Sequence, residues 1–268
     1  MHTDDSTVIG HQETYAMNQT EGRLDRGNGQ QIAWIRIEGR GPTVVFLPGY
    51  RSDMTGDKAT ALAALCAARG CAMLRFDYTG HGASDGDFVD GTIGAWAADA
   101  LAAIDALTQG PLILVGSSMG GWIGLLTALA RADRVAAFIG IAAAPDFTQA
   151  LMWDAMGPSE QATLQRDGVL YVPSQYGEPL PITLKLIEDG ARHHVLTGHI
   201  ALSCPIRLLH GQNDPDVPWQ LALKIAEQAA SQDTRIILIK DGDHRLSRPQ
   251  DLDLLCQTVA AFLPQDGT

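Results

Sequence analysis

The chain has 268 residues, 46% of them apolar, with 19 basic against 31 acidic side chains and a net charge of −12. That is enough apolar residue for one large core and too much for global disorder. The acidic balance disfavours nucleic acid and anionic lipid, which bind basic patches, and says nothing about a small-molecule or acylated substrate as partner.

Residues 1–22 are polar and acidic and read as a mobile tail, followed by one domain over 23–268. The tail lacks the basic start and apolar core of a secretory signal and is too acidic for a mitochondrial transit peptide, so a cytoplasmic location is expected. No apolar run reaches membrane-spanning length, so no stable membrane insertion is expected. The four cysteines, Cys66, Cys71, Cys204 and Cys256, have no CxxC spacing and read as reduced thiols.

Residues 21–38 then read as a hairpin turning at Gly27-Asn28-Gly29, with Ile32 and Trp34 on one face and Ile35 and Ile37 on the other. Short, continuous apolar runs follow at 43–47, 71–77, 112–115, 135–142, 206–210 and 235–239, as parallel strands buried on both faces require. Helical spacing fills the gaps. Residues 58–69 carry Leu62, Leu65 and Cys66 on one face and stop at Gly70. Thr92 caps a helix whose apolar positions are Ile93, Trp96, Ala100, Leu101, Ile104 and Leu107. The last helix carries Leu252, Leu255, Cys256, Val259 and Phe262. This alternation predicts a doubly wound, mostly parallel α/β sheet. Residues 145–203 break the rhythm and are expected to form a helical cap insertion over the active site, with Met152, Trp153 and Met156 as candidate substrate-binding residues.

The chemistry centres on Gly116-Ser117-Ser118-Met119-Gly120. An apolar strand precedes it and a helical run follows, so the glycines flank a serine on a sharp strand-to-helix bend. Ser117 is also a hydroxyl, but Ser118 alone lies centrally between Gly116 and Gly120. A serine needs a base to take its proton and an acid to orient that base, and in an open α/β sheet both should follow later strands. The acid candidate is Asp214, in the loop after the strand at 206–210, with Asp216 as its neighbour and competitor. The base candidate is His244, after the last strand; His210 could fill space or anchor the acid loop, and His81 suits a turn. Two backbone donors are needed for a developing oxyanion: the N–H of Met119 at the start of the elbow helix, and the N–H of Tyr50 in Pro48-Gly49-Tyr50-Arg51. No HExxH, CxxC or Walker pattern occurs, and His193-His194 point in different directions, so neither metal nor cofactor is expected.

With these loops placed, residues 38–263 resemble the α/β-hydrolase superfamily. Within it, Leu47-Pro48-Gly49-Tyr50, Arg75-Phe76-Asp77-Tyr78, Ser84-Asp85-Gly86, residues 115–122, residues 204–219 and Asp243-His244-Arg245 are similar to the mitochondrial acyl-protein thioesterases that also cleave acyl glucuronides. The resemblance implies Ser118 as nucleophile, Asp214 as acid and His244 as base, and a serine esterase or thioesterase, for example one active in depalmitoylation. Two other functions are weighed: a carbon–carbon bond hydrolase with the same triad, and a catalytically silent ligand-binding module, which predicts a missing or misaligned triad member whereas all three types are present in order. Arg51, Lys185 and Arg192 are candidates to meet a substrate carboxylate, against the commoner role of solvated surface charge.

Overall fold

The computed structural model describes residues 19–27, 29–174 and 177–265. An eight-stranded sheet runs through the molecule. In chain order its strands are β1 (Gln19–Asp25), β2 (Gln31–Ile37), β3 (Arg40–Leu47), β4 (Cys71–Phe76), β5 (Leu112–Ser117), β6 (Val135–Ile141), β9 (Ile206–Gly211) and β10 (Thr234–Ile239). The spatial order is β1-β2-β4-β3-β5-β6-β9-β10. β1 and β2 pair antiparallel, β2 meets β4 antiparallel, and every remaining pairing is parallel. Helices α1 (Asp57–Ala68), α2 (Ile93–Leu107), α3 (Met119–Ala130), α6 (Gln220–Gln228) and α7 (Pro249–Ala260) form the connections.

The predicted hairpin is present, and its alternation sorts side chains as expected. Ile32 and Trp34 face the core shared with α2 and α3, whereas Ile37 faces the core shared with α1 and α7. Asn28 at its turn lies outside the described residues. So does most of the predicted tail, but Gln19 to Gly22 are strand rather than tail, paired in register with Ile37 to Trp34. At Gly22 a Cβ would sit 2.4 Å from the Trp34 ring, so the indole packs on bare backbone.

Between β6 and β9 the chain builds a π-helical turn (Thr148–Trp153), α4 (Pro158–Asp167), an antiparallel hairpin of β7 (Val169–Ser174) and β8 (Gly177–Thr183), and α5 (Leu184–Gly190). The helical part was predicted; the hairpin was not. Pro173, Pro179 and Pro181 obscure its strand character in the sequence, because proline removes a ladder donor and is tolerated where no partner strand needs it. Two residues fasten this insertion at its base. Asp146, at φ +60°, accepts the N–H groups of Val195 and Leu196 at 2.9 Å each. Asp189 accepts the Gly94 N–H at the start of α2. Among the described residues no helix is long and apolar enough to cross a membrane.

Candidate active site

The site lies where the parallel strands end. Ser118 follows β5, Asp214 follows β9, His244 follows β10 and Tyr50 follows β3. Three glycines make the bend at Ser118 possible. A Cβ on Gly116 would lie 2.2 Å from the Gly120 carbonyl oxygen, one on Gly120 would lie 2.0 Å from the Leu47 carbonyl oxygen, and one on Gly121 would lie 2.5 Å from Ala143 Cβ. No side chain fits those gaps, because each is occupied by backbone or a packed methyl. Ser118 itself is forced to φ +55° and ψ −118°, a region costly for any residue with a Cβ. Backbone bonds hold it there. Its N–H donates to Ile141 O at 2.9 Å, and its carbonyl accepts from Gly121 at 2.8 Å and Ala144 at 3.1 Å.

The three residues nominated from sequence meet in one hydrogen-bonded chain. Ser118 Oγ lies 3.1 Å from His244 Nε2, and His244 Nδ1 lies 2.7 Å from Asp214 Oδ2. Read as donor and acceptor, Nδ1–H donates to the carboxylate and Nε2 accepts the serine hydroxyl. The Asp214 carboxylate is fully buried and saturated: Oδ1 accepts the N–H groups of Asp216 at 2.9 Å and Val217 at 2.8 Å. His210, which the sequence left between space-filling and anchoring, is an anchor. Its Nε2 is shared between Asp214 Oδ2 at 3.1 Å and the Val217 carbonyl at 3.0 Å. Burial pushes the Asp214 carboxyl pKa up, but the hydrogen bonds from His210 and His244 together with the His244 charge outweigh it, and the group is held well below the usual carboxylate range. Asp214 is therefore a permanent anion facing the imidazole. Asp216, the competitor, is exposed, and its N–H donates to Asp214 Oδ1, while a carboxylate oxygen lies within 4.8 Å of the Asp214 carboxylate and a His244 ring nitrogen.

The loop Pro48-Gly49-Tyr50-Arg51 packs directly on the serine. A Cβ on Gly49 would lie 3.2 Å from the Ser117 carbonyl oxygen and 3.4 Å from Ser118 Cβ, so glycine sets the separation of the two loops. Tyr50 follows at once, and Met119 is the first residue of α3, where amide groups have no intrahelical acceptor. The Tyr50 ring sits edge-on to Phe88, Trp96 and Phe147, and its hydroxyl donates to Pro181 O at 2.8 Å. Burial raises that phenol's pKa, so it remains a donor despite the Arg51 charge beside it. Arg51, at φ +57°, donates to the carbonyls of Glu178 and Pro179 at 3.2 and 3.1 Å. The hairpin of the insertion is thus tied to the loop that borders the serine.

Ser118 and His244 open into a cleft of about 990 Å³ whose far side runs over the start of α1. Gly49, Tyr50, Arg51, Ser52, Lys58 and Arg245 line it, and Gly177, Glu178 and Leu180 form the hairpin wall. Met152, Trp153 and Met156 do not. Met152 and Met156 are buried in the core and Trp153 packs against the same cluster, the π-helical turn lying against α5. Of the three cations considered for a substrate carboxylate, Arg51 alone is in the cleft; Lys185 pairs with Asp90 and Arg192 with Asp189. Lys58 was missed. A lysine in the first turn of a helix opposes the helix dipole, and that misfit is the one signal of it in the sequence.

A strained serine between glycines, facing a partly exposed histidine and a buried carboxylate at the carboxyl end of a parallel sheet, defines a class of protein. The family described as "Alpha/beta hydrolase family" matches residues 44–253, and the chain belongs to it; it is a hydrolase. Among curated relatives, the mitochondrial palmitoyl-protein thioesterase ABHD10 of Mus musculus is 40% identical over 249 residues, covering 91% of this chain and 83% of the relative. The human protein of the same name is 39% identical over 247 residues, covering 91% of this chain and 80% of its own length. Two solved structures agree: an Agrobacterium vitis S4 protein (TM-score 0.87, 42% identity, 92% of this chain and 98% of that one) and mouse α/β-hydrolase domain-containing protein 10 (0.84, 38%, 90% and 97%). These relatives also correct an expectation. The curated proteins that match are mitochondrial, so the cytoplasmic location inferred from the acidic N-terminal segment is withdrawn.

Proposed function

We propose that this chain is a serine thioesterase and esterase working through an acyl-enzyme. The observation that carries the reading is the continuous Ser118–His244–Asp214 hydrogen-bonded chain on a strained elbow. Ser118 Oγ attacks the acyl carbonyl while His244 Nε2 takes its proton. Asp214 orients the ring and stabilises the imidazolium that forms. The N–H groups of Met119 and Tyr50 receive the oxyanion, a role supported by Gly49 packing on Ser118 and by Met119 opening α3. His244 then returns the proton to the leaving thiol or alcohol, and water releases the acid by the same route. Residues 145–203 act as a cap, supported by the hairpin residues in the cleft wall. The relatives' name, palmitoyl-protein thioesterase, makes fatty-acyl thioesters the substrate class to test first.

The test is labelling and turnover. A fluorophosphonate should modify Ser118, intact-protein mass spectrometry should trap its acyl adduct from a p-nitrophenyl ester, and both should vanish in Ser118→Ala with kcat reduced by roughly 10⁶-fold. A Ser118→Ala protein that still hydrolyses palmitoyl and butyryl thioesters would overturn the reading. Cleavage of dienoates in preference to esters would replace it with carbon–carbon hydrolysis.

A further inference from the structure

The loop that carries His244 is held from outside itself. Leu246, two residues on, has φ +44°, and its N–H donates to Asp243 Oδ1 at 2.9 Å. Gly242 packs against Gly211 so closely that a Cβ on it would lie 3.0 Å from Gly211 Cα. These contacts, the burial of Leu246 and a 3.3 Å bond from Ser247 Oγ to the Arg245 carbonyl shape the loop, but none of them ties Arg245 to another part of the chain through a hydrogen bond. Lys58 does so. From the first turn of α1 its Nζ donates to the carbonyl of Arg245, the residue directly after His244, and lies 3.4 Å from Ser247 Oγ.

The choice of lysine is informative. It stands at the positive end of a helix, half-buried in the wall of the cleft that holds Ser118 and His244. A neutral donor would fasten a carbonyl at less desolvation cost. A charged donor makes the stronger bond, which matters where the backbone adjoins a base that must keep two hydrogen bonds at once. The groups facing the ammonium are Asp57 on its own helix, Arg245 and Asp243 on the base loop, and Asp251 on α7.

We propose that Lys58 is a positioning residue for the base: its ammonium holds the Arg245 carbonyl and thereby keeps His244 in register with Ser118 and Asp214. The inference rests on the reading of Ser118 as nucleophile. Burial, with the Arg245 charge, pushes the Lys58 pKa down to about 8. Below that pH the charged donor is present; above it the bond to Arg245 weakens, and kcat should decline. A base displaced by a fraction of an ångström to 1 Å costs up to about a hundredfold in rate, which sets the scale.

The test compares kcat, KM and the pH profile of wild type, Lys58→Met and Lys58→Arg on p-nitrophenyl butyrate, with Ser118→Ala as the blank. Lys58→Met should lose about tenfold or more in kcat with KM within about twofold. Wild type should show an alkaline fall in kcat near pH 8. Lys58→Arg, whose charge does not titrate there, should recover most of kcat and lack that fall. A Lys58→Met enzyme with wild-type kcat and pH profile overturns the proposal, as does an unchanged alkaline fall in Lys58→Arg. Should circular dichroism find Lys58→Met unfolded, the wild-type profile decides, and a flat kcat between pH 7 and 9.5 sinks the idea. Activity persisting in Ser118→Ala would instead locate the failure in the nucleophile.

Discussion

The elbow and the β7–β8 hairpin face each other across one cleft, and they are held by different means. The elbow is fixed by backbone: Ser118 uses both its N–H and its carbonyl, and three neighbouring glycines meet backbone or a packed methyl with no room for a Cβ. The hairpin is fixed at the cleft by side chains, through Tyr50 Oη to Pro181 O and the Arg51 guanidinium to the carbonyls of Glu178 and Pro179. Backbone packing cannot be retuned by one substitution without moving the sheet. Side-chain ties can. The serine therefore stands in a frame fixed by backbone, whereas the hairpin wall of the cleft can change its hold without moving that frame.

Three substitutions would break or sharpen this contrast. The largest effect belongs to the frame's charge. Asp214→Asn should lower kcat by roughly 10⁴-fold with KM near wild type, because an amide favours the wrong imidazole tautomer. It should also lower the melting temperature, because its NH2 cannot accept the imidazole donors; steady-state kinetics with a thermal melt would check both. Next is the frame's packing. Gly120→Ala directs a Cβ to within 2.0 Å of the Leu47 carbonyl oxygen, so it should destabilise the fold by about 1–3 kcal/mol or more, measured by denaturant unfolding. A neutral result would mean that the elbow is looser than its contacts imply. Smallest is the hairpin tie. Tyr50→Phe removes one hydrogen bond of about 1 kcal/mol and should raise KM a few-fold with kcat nearly unchanged, alongside faster proteolysis within the hairpin. A large kcat loss there would show that the hairpin also sets the oxyanion loop, erasing the distinction.

The sequence by itself determined the strand–helix alternation, the bend at Ser118, and the order in which serine, carboxylate and histidine follow the strands. Local physics writes these into adjacent residues: apolar runs for buried strands, glycines beside a tight turn, Thr92 accepting the Ala95 N–H at the start of α2. Only the tertiary structure decided how the carboxylate is saturated by His210, that Met152 and Met156 turn into the core, that proline-bearing strands pair as a hairpin, and that Lys58 reaches the loop of His244. Lys58 and Arg245 are 187 residues apart, and Tyr50 and Pro181 are 131 apart. No periodicity links such pairs, because what brings them together is the closing of the sheet and not any property of the chain nearby.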